Sequence, residues 1–234
     1  MLVLDGVSRQ YGGLRPLRIQ QLTVGAGEQV ALLGFDQPSA EVFVNLVTGA
    51  MLPDVGQVTL FGQPTSAIAD SRAWLAIVDR FGIMSERAVL LDQLTVIQNL
   101  AMPFTLEIEP PPADVQERAA RLASEVGLLE PTCDRPVADL DAAGRARVRL
   151  GRALALDPAV LLLEHVSAGL ETQVAGRLAA TIRAAAAARN AATVAITADD
   201  RFAAAIAPRV LVHDPATGRL SPARRGWFTR PRLE

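Results

Sequence analysis

Four short apolar runs, spaced by stretches with helical periodicity, constrain this chain more than any other feature of its sequence. Gln29–Leu33 and residues 160–163, 193–197 and 209–212 each read as a strand. Between and after them, residues 40–48, 175–189 and 200–205 carry helix-forming patterns, the first stopping at Gly49. Strands that alternate with helices imply a parallel sheet covered on both faces, and hence an α/β class. Upstream, residues 2–4 and Leu17–Val24 read as strands flanking a loop around Tyr11, Gly12 and Gly13. Residues 56–60 read as another strand before the turn at 61–64. In the middle, residues 90–104 and 113–126 look helical, separated by Pro110, Pro111 and Pro112, with no strand signal until about residue 160. That helical block, about 87–140, is expected to be an insertion in a single domain over 1–220. Residues 221–234 are rich in Pro and Arg, and a flexible tail is expected there.

Composition narrows the chemistry. The chain has 234 residues with 23 basic and 25 acidic side chains, and all 23 are arginine. With no lysine, Schiff-base and lysine-general-base chemistry is excluded, as is the usual lysine of a phosphate-binding loop. GC-rich coding would produce the same bias, so placement has to decide its meaning. A net charge of −2 gives no field that favours nucleic acid. The lone Cys133 argues against a disulfide scaffold and fits a reducing compartment. No apolar stretch approaches the ~18 residues needed to span a bilayer. Met1-Leu-Val-Leu-Asp reads as a strand and not as a signal sequence, so a cytoplasmic location is expected.

Residues 30–62 (VALLGFDQPSAEVFVNLVTGAMLPDVGQVTLFG) follow the order of one family's opening. A hydrophobic strand leads to Gly34, a short loop, a helix ending at Thr48-Gly49, then Pro53, Gly56 and the strand to Gly62. LLDQLTVIQNLAMPF (90–104), RARVRLGRALALDPAVLLLEHVSAGLE (145–171) and TVAITADD (193–200) continue in that order. Together they resemble the ATP-binding cassette of ABC transporters across roughly residues 2–220. The resemblance implies a P-loop NTPase-like core, an N-terminal antiparallel β portion and an inserted α-helical subdomain. It also implies a nucleotide site that binds ATP and Mg²⁺.

The positions that carry the family's chemistry hold other residues. A phosphate loop of the form GxxxxGK[ST] needs turned-in backbone N–H groups, a lysine and a hydroxyl for Mg²⁺. The matching register is Gly34, Phe35, Asp36, Gln37, Pro38, Ser39, Ala40 and Glu41. Ala40 stands for the lysine and Glu41 for the hydroxyl, and Pro38 removes one N–H. No basic residue lies between Arg18 and Arg72. A lost charge-assisted contact costs on the order of 2–3 kcal/mol. A carboxylate ~4 Å from a phosphate adds about 4 kcal/mol of repulsion. Together they would weaken a micromolar site beyond roughly millimolar. Glu41 and Glu164 are the candidate metal ligands if a divalent ion is held at all.

Elsewhere Glu86 falls on the Q-loop glutamine, and Leu140, Asp141, Ala142, Ala143 and Gly144 fall on the LSGGQ signature. His165 falls on the catalytic glutamate, Glu171 on the aspartate of the following loop and Ala198 on the switch histidine. Glu164, at the Mg²⁺-binding aspartate, is conservative. Tyr11 sits where the family stacks an aromatic ring on adenine, and a packed loop tyrosine explains it equally. The family assembles each ATP site from the phosphate loop of one cassette and the signature of another, and both faces are altered here. The expectation is an ABC-type subunit with weak or absent ATP and Mg²⁺ binding and weak or absent hydrolysis. Its expected partners are a membrane permease, another cassette or a second copy of itself, at the inner face of the membrane, and no nucleic acid. The 87–104 segment lies near the permease-receiving groove of relatives, and core packing explains the same residues. Two rivals are an active ATPase using Glu41, Glu164 and His165, and a soluble regulator that left transport. His213, beside Asp214-Pro215, is expected at a surface turn, and Cys133 is expected to be inert. In the tail, Arg224, Arg225, Arg230 and Arg232 with Trp227 and Phe228 suit either an anionic partner or a solvated end.

Overall fold

The computed structural model describes residues 1–223. Strands β1 (Leu2–Arg9), β2 (Leu17–Val24), β4 (Val55–Leu60) and β5 (Gln63–Pro64) form an antiparallel sheet in the order β2-β1-β4-β5. A second sheet runs β10-β9-β3-β8-β7-β6. It is built from β3 (Gln29–Leu33), β6 (Phe81–Ser85), β7 (Val160–Glu164), β8 (Ala192–Ile196), β9 (Arg209–Asp214) and β10 (Arg219–Pro222). All its neighbours are parallel except β9 and β10. Every residue of β7 and β8 is buried, as continuous apolar runs in a covered parallel sheet should be.

The pleat divides the core in two. Val30, Leu32, Val160 and Leu162 point to the side where α1 (Gln37–Val47) meets the antiparallel sheet through Phe43 and Leu46. Ala31, Leu33, Leu161 and Leu163 point to the other side, which five further helices cover. These are α5 (Ala142–Leu154), α6 (Thr172–Ala188) and α7 (Asp200–Ile206), joined by α3 (Val96–Ala101) and α4 (Ala113–Glu125) of the helical insertion. No helix among the described residues is long and apolar enough to cross a membrane.

The structure corrects several expectations. An eight-residue helix α2 (Ser71–Val78), capped by Asp70, and the strand β6 both fall where the sequence shows no strand or helix pattern. Gly82 obscures β6, because a glycine weakens a strand pattern. It is required there: a Cβ would lie 2.1 Å from the Ala153 carbonyl oxygen of α5. Helix 90–104 shrinks to α3, since Thr95 and Gln98 form a capping box that starts it late. Fully buried Asn99 keeps the preceding loop open by accepting from Leu91 N–H and donating to the carbonyls of Leu91, Leu94 and Thr95. Ser221 and Pro222 belong to β10, paired with Val212 and Leu211, rather than to a tail. The rest of the expected tail, 224–234, lies outside the described residues.

His213 is also buried rather than at a surface turn, with 5% of its surface exposed. Its ring stacks on Phe35 with centroids 4.5 Å apart, and its Nε2 lies 2.8 Å from the Arg18 carbonyl oxygen. The turn that follows is stitched to β2. Gln20 N–H donates to the Gly218 carbonyl at 2.8 Å, and Arg18 Nη1 and Gln20 Nε2 donate to the carbonyls of Ala216 and Thr217. These bonds join the two sheets along the outer edge of β2.

Candidate functional site

The carboxyl ends of β3, β6, β7 and β8 open on one edge of the parallel sheet, the usual place for a ligand site in an α/β fold. Gly34 leaves β3 at φ +88°, and a Cβ there would meet the His213 carbonyl oxygen at 2.7 Å. Glycine is therefore needed for packing of β3 against β9, whether or not a ligand binds. Phe35 is 3% exposed and Ala40 fully buried, so their side chains belong to the core and not to a ligand surface.

Helix α1 starts three residues earlier than its apolar period suggests. Asp36 is its N-cap: its carboxylate accepts from Ser39 N–H at 2.9 Å and from the Ser39 hydroxyl. Ala40 N–H is bonded to the Asp36 carbonyl at 2.9 Å. Pro38 suits the first turn, where its missing N–H would have no intrahelical partner. The Ser39 bonds, hydroxyl first, hold the Asp36 carboxyl below its ordinary pKa. The second half of the stretch that would wrap a phosphate, from Gln37 on, is thus wound into helix, with its N–H groups at 39 and 40 already bonded.

Glu164 ends β7 with its side chain fully buried. Gln37 Nε2 donates to its Oε1, and Arg87 Nη2 donates to its Oε2 at 2.6 Å. Arg87 Nη1 reaches Glu41 Oε1 at 3.0 Å. The two candidate metal ligands are therefore brought together, but around a guanidinium. A count of basic residues near position 40 along the chain does not reach Arg87. It arrives from the exit of β6, 77 residues before Glu164 in sequence. The hydrogen bond that Arg87 donates to Glu164, and then the charges of Glu164 and Glu41, raise the Arg87 pKa against the opposing effect of burial. Mg²⁺ demands near-octahedral oxygen donors. Here both Glu164 oxygens and one of Glu41 are taken, and the Ser39 hydroxyl faces Asp36. This donor set does not fit Mg²⁺. No cluster of three or more metal-ligating side chains occurs among the described residues.

His165 follows Glu164 at φ +49°, a left-handed conformation costing a non-glycine residue on the order of 1–2 kcal/mol. Its N–H donates to the Ile196 carbonyl at 2.8 Å and its carbonyl accepts from Ala168 N–H at 2.9 Å, which hold the turn. Its Nε2 is buried without a partner. Ala198 is exposed just beyond β8 and offers no polar side chain. Glu171 precedes α6 as its N-cap without a side-chain bond. Glu86 is exposed and lines a 200 Å³ cavity with Ala142, Arg145 and Arg149.

Tyr11 comes to the same edge. It lines a 740 Å³ cleft with Gly12, Gly34, Asp36, Pro38 and Ser39. Burial, then the Asp36 charge, raises its hydroxyl pKa. The ring also lies against its own loop, since a Cβ on Gly13 would come 2.9 Å from it. At the signature stretch, Leu140 precedes α5 and Asp141 caps it, accepting from Gly144 N–H at 2.7 Å, with Ala142 and Ala143 in the first turn. The loop after β6 does border a groove of 310 Å³ with α3 and α5, lined by Ile83, Ala88, Met102, Pro103, Arg149 and Arg152. Arg152 Nη1 donates to the Val89 carbonyl at 2.6 Å, whereas Arg149 Nε is buried without a partner.

The family described as ABC transporter matches residues 17–166. The sulfate/thiosulfate import ATP-binding protein CysA of Synechocystis sp. is 33% identical over 183 residues, 78% of this chain and 49% of that protein. The methionine import ATP-binding protein MetN of Caulobacter vibrioides is 32% identical over 175 residues, 74% of this chain and 52% of that protein. The chain spans about half the length of the curated relatives it matches first. Among solved structures, the dimeric post-hydrolysis ATP-binding cassette MJ0796 bound to ADP and Pi superposes with a TM-score of 0.77. It is 19% identical, with 96% of this chain and 100% of that chain covered. Part of the cbiONQ complex, cbiO1 from Clostridium perfringens, has a TM-score of 0.78 at 17% identity, covering 94% and 86%. With its cassette fold and a match over most of its length, the chain belongs to the ABC transporter family.

Proposed function

We propose that this chain is a cassette subunit of a membrane transport complex that assembles without hydrolysing ATP. The observation that carries the reading is the start of α1, where Asp36 occupies the Ser39 N–H and hydroxyl. A nucleotide phosphate would have to displace a carboxylate that is already bonded there, and would gain no lysine in return. Ala40, Asp141, His165 and Ala198 support it, each lacking the group that the family's chemistry uses at its position. The 310 Å³ groove beside α5 supports docking, because a coupling segment of a permease would find Ile83 and Met102 with Arg149 and Arg152 there. Another cassette, or a second copy of this chain, is the expected partner across the site, at the inner face of the membrane.

Titration calorimetry with Mg-ATP is expected to give no saturable binding below about 1 mM. Micromolar binding would overturn the reading. The unpartnered Nε2 of His165 favours one rival, an ATPase with His165 as its base. That rival requires metal-dependent phosphate release that His165→Ala abolishes. Co-purification from detergent-solubilised membranes separates a transport subunit from a free regulator: recovery of a membrane protein supports the first, and recovery of the chain alone the second.

A further inference from the structure

The ion pairs around β7 form a closed arrangement. One buried carboxylate and one half-exposed carboxylate share a single guanidinium, through different nitrogens, at 2.6 and 3.0 Å. Gln37 fills the remaining oxygen of Glu164. Each contact links a different element: α1 through Gln37 and Glu41, the end of β7 through Glu164, and the exit of β6 through Arg87. A divalent ion between two carboxylates would make the same three-way link, with oxygens as its donors. Burial of Glu164 without any cation would leave a charge in an apolar strand end, which proteins avoid.

We infer that Arg87 is a resident cation standing between Glu41 and Glu164 in place of a divalent metal, so that guanidinium and metal exclude one another. The unaltered chain then needs no metal to hold α1 against β7. Removing the guanidinium leaves two carboxylates facing the vacated position, one fully buried and one half-exposed, which is the donor chemistry of a hard divalent ion. The inference deepens the reading of a site that does not serve Mg-ATP and rests on it. The two fail differently. Micromolar Mg-ATP binding sinks that reading, whereas metal binding by the unaltered chain sinks this one even if ATP never binds.

Manganese alone, followed by electron paramagnetic resonance of the free ion, is the probe. The unaltered protein should leave Mn²⁺ free up to about millimolar concentration. Arg87→Met and Arg87→Gln should each take up one Mn²⁺ per chain, at least about tenfold more tightly than the unaltered protein. Adding Glu164→Gln to either variant should abolish that uptake and so locate it. Arg87→Gln is the second variant because its amide keeps a donor toward Glu164 if the methionine variant does not fold. Equal Mn²⁺ affinity with and without Arg87, uptake that survives Glu164→Gln, or no uptake by whichever variants fold would each overturn the inference.

Discussion

Asp36 does two jobs with one carboxylate: it caps α1, and it fills the position where an anionic ligand would meet the helix start. Asp36→Ala should cost about 0.5–2 kcal/mol of stability, read by urea unfolding, with Asp36→Asn losing less because asparagine is itself a good cap. The sign of the pH dependence follows from its depressed pKa. The stabilisation is complete above the ordinary aspartate value of about 3.9 and is lost as pH falls through the lower folded value. Asp36→Asn should therefore flatten this part of the acid limb, and an unchanged acid limb would count against the cap. Cys133 is buried, and that burial, then Asp134 and Glu130, raise its thiol pKa. It should resist iodoacetamide at neutral pH until the chain unfolds.

At the scale of elements, what the sequence discloses depends on how local the determining contact is. β2 and β3 carry their own periodicity and are found with the expected bounds. The start of α1 is decided by Asp36 and Pro38, whose cap chemistry is readable but was overridden by the apolar period from residue 40. β6 is hidden because Gly82 answers to a helix 71 residues away, and that neighbour is invisible to any local window. The same logic applies to the site. Order and spacing are enough to put Ala40 in α1, Asp141 at the start of α5 and Ala198 beyond β8, whereas Arg87 is not legible that way, because its partners come from α1 and β7. Gly82→Ala tests the packing of this element directly. Its Cβ would overlap the Ala153 carbonyl, so β6 and α5 must separate, at a cost of about 1–3 kcal/mol in denaturant unfolding. A neutral result would mean that the sheet edge yields freely.

For the whole molecule, the join between the two sheets depends on β10 and the turn before it. A chain ended after Asp214 would lose the β9–β10 ladder and the bonds from Arg18 and Gln20. Several hydrogen bonds at about 0.5–1.5 kcal/mol each make a loss of at least about 2 kcal/mol the expected result. For a domain of this size that lowers Tm by roughly 4–8 °C in thermal unfolding, and an unchanged Tm would count against the stitch.

The same stitch imposes a schedule on synthesis. The partners of Arg18 and Gln20 are 197 and 198 residues downstream. At about 5–20 residues per second, a ribosome delivers them roughly 10–40 s after β2 has been made. Throughout that interval the outer edge of β2 has neither its covering turn nor a neighbouring strand, and an uncovered edge invites pairing with other chains. The outer edge of β2 is thus made long before the turn that seals it. Its most hazardous moment comes on the ribosome, before the parallel sheet beside it is complete.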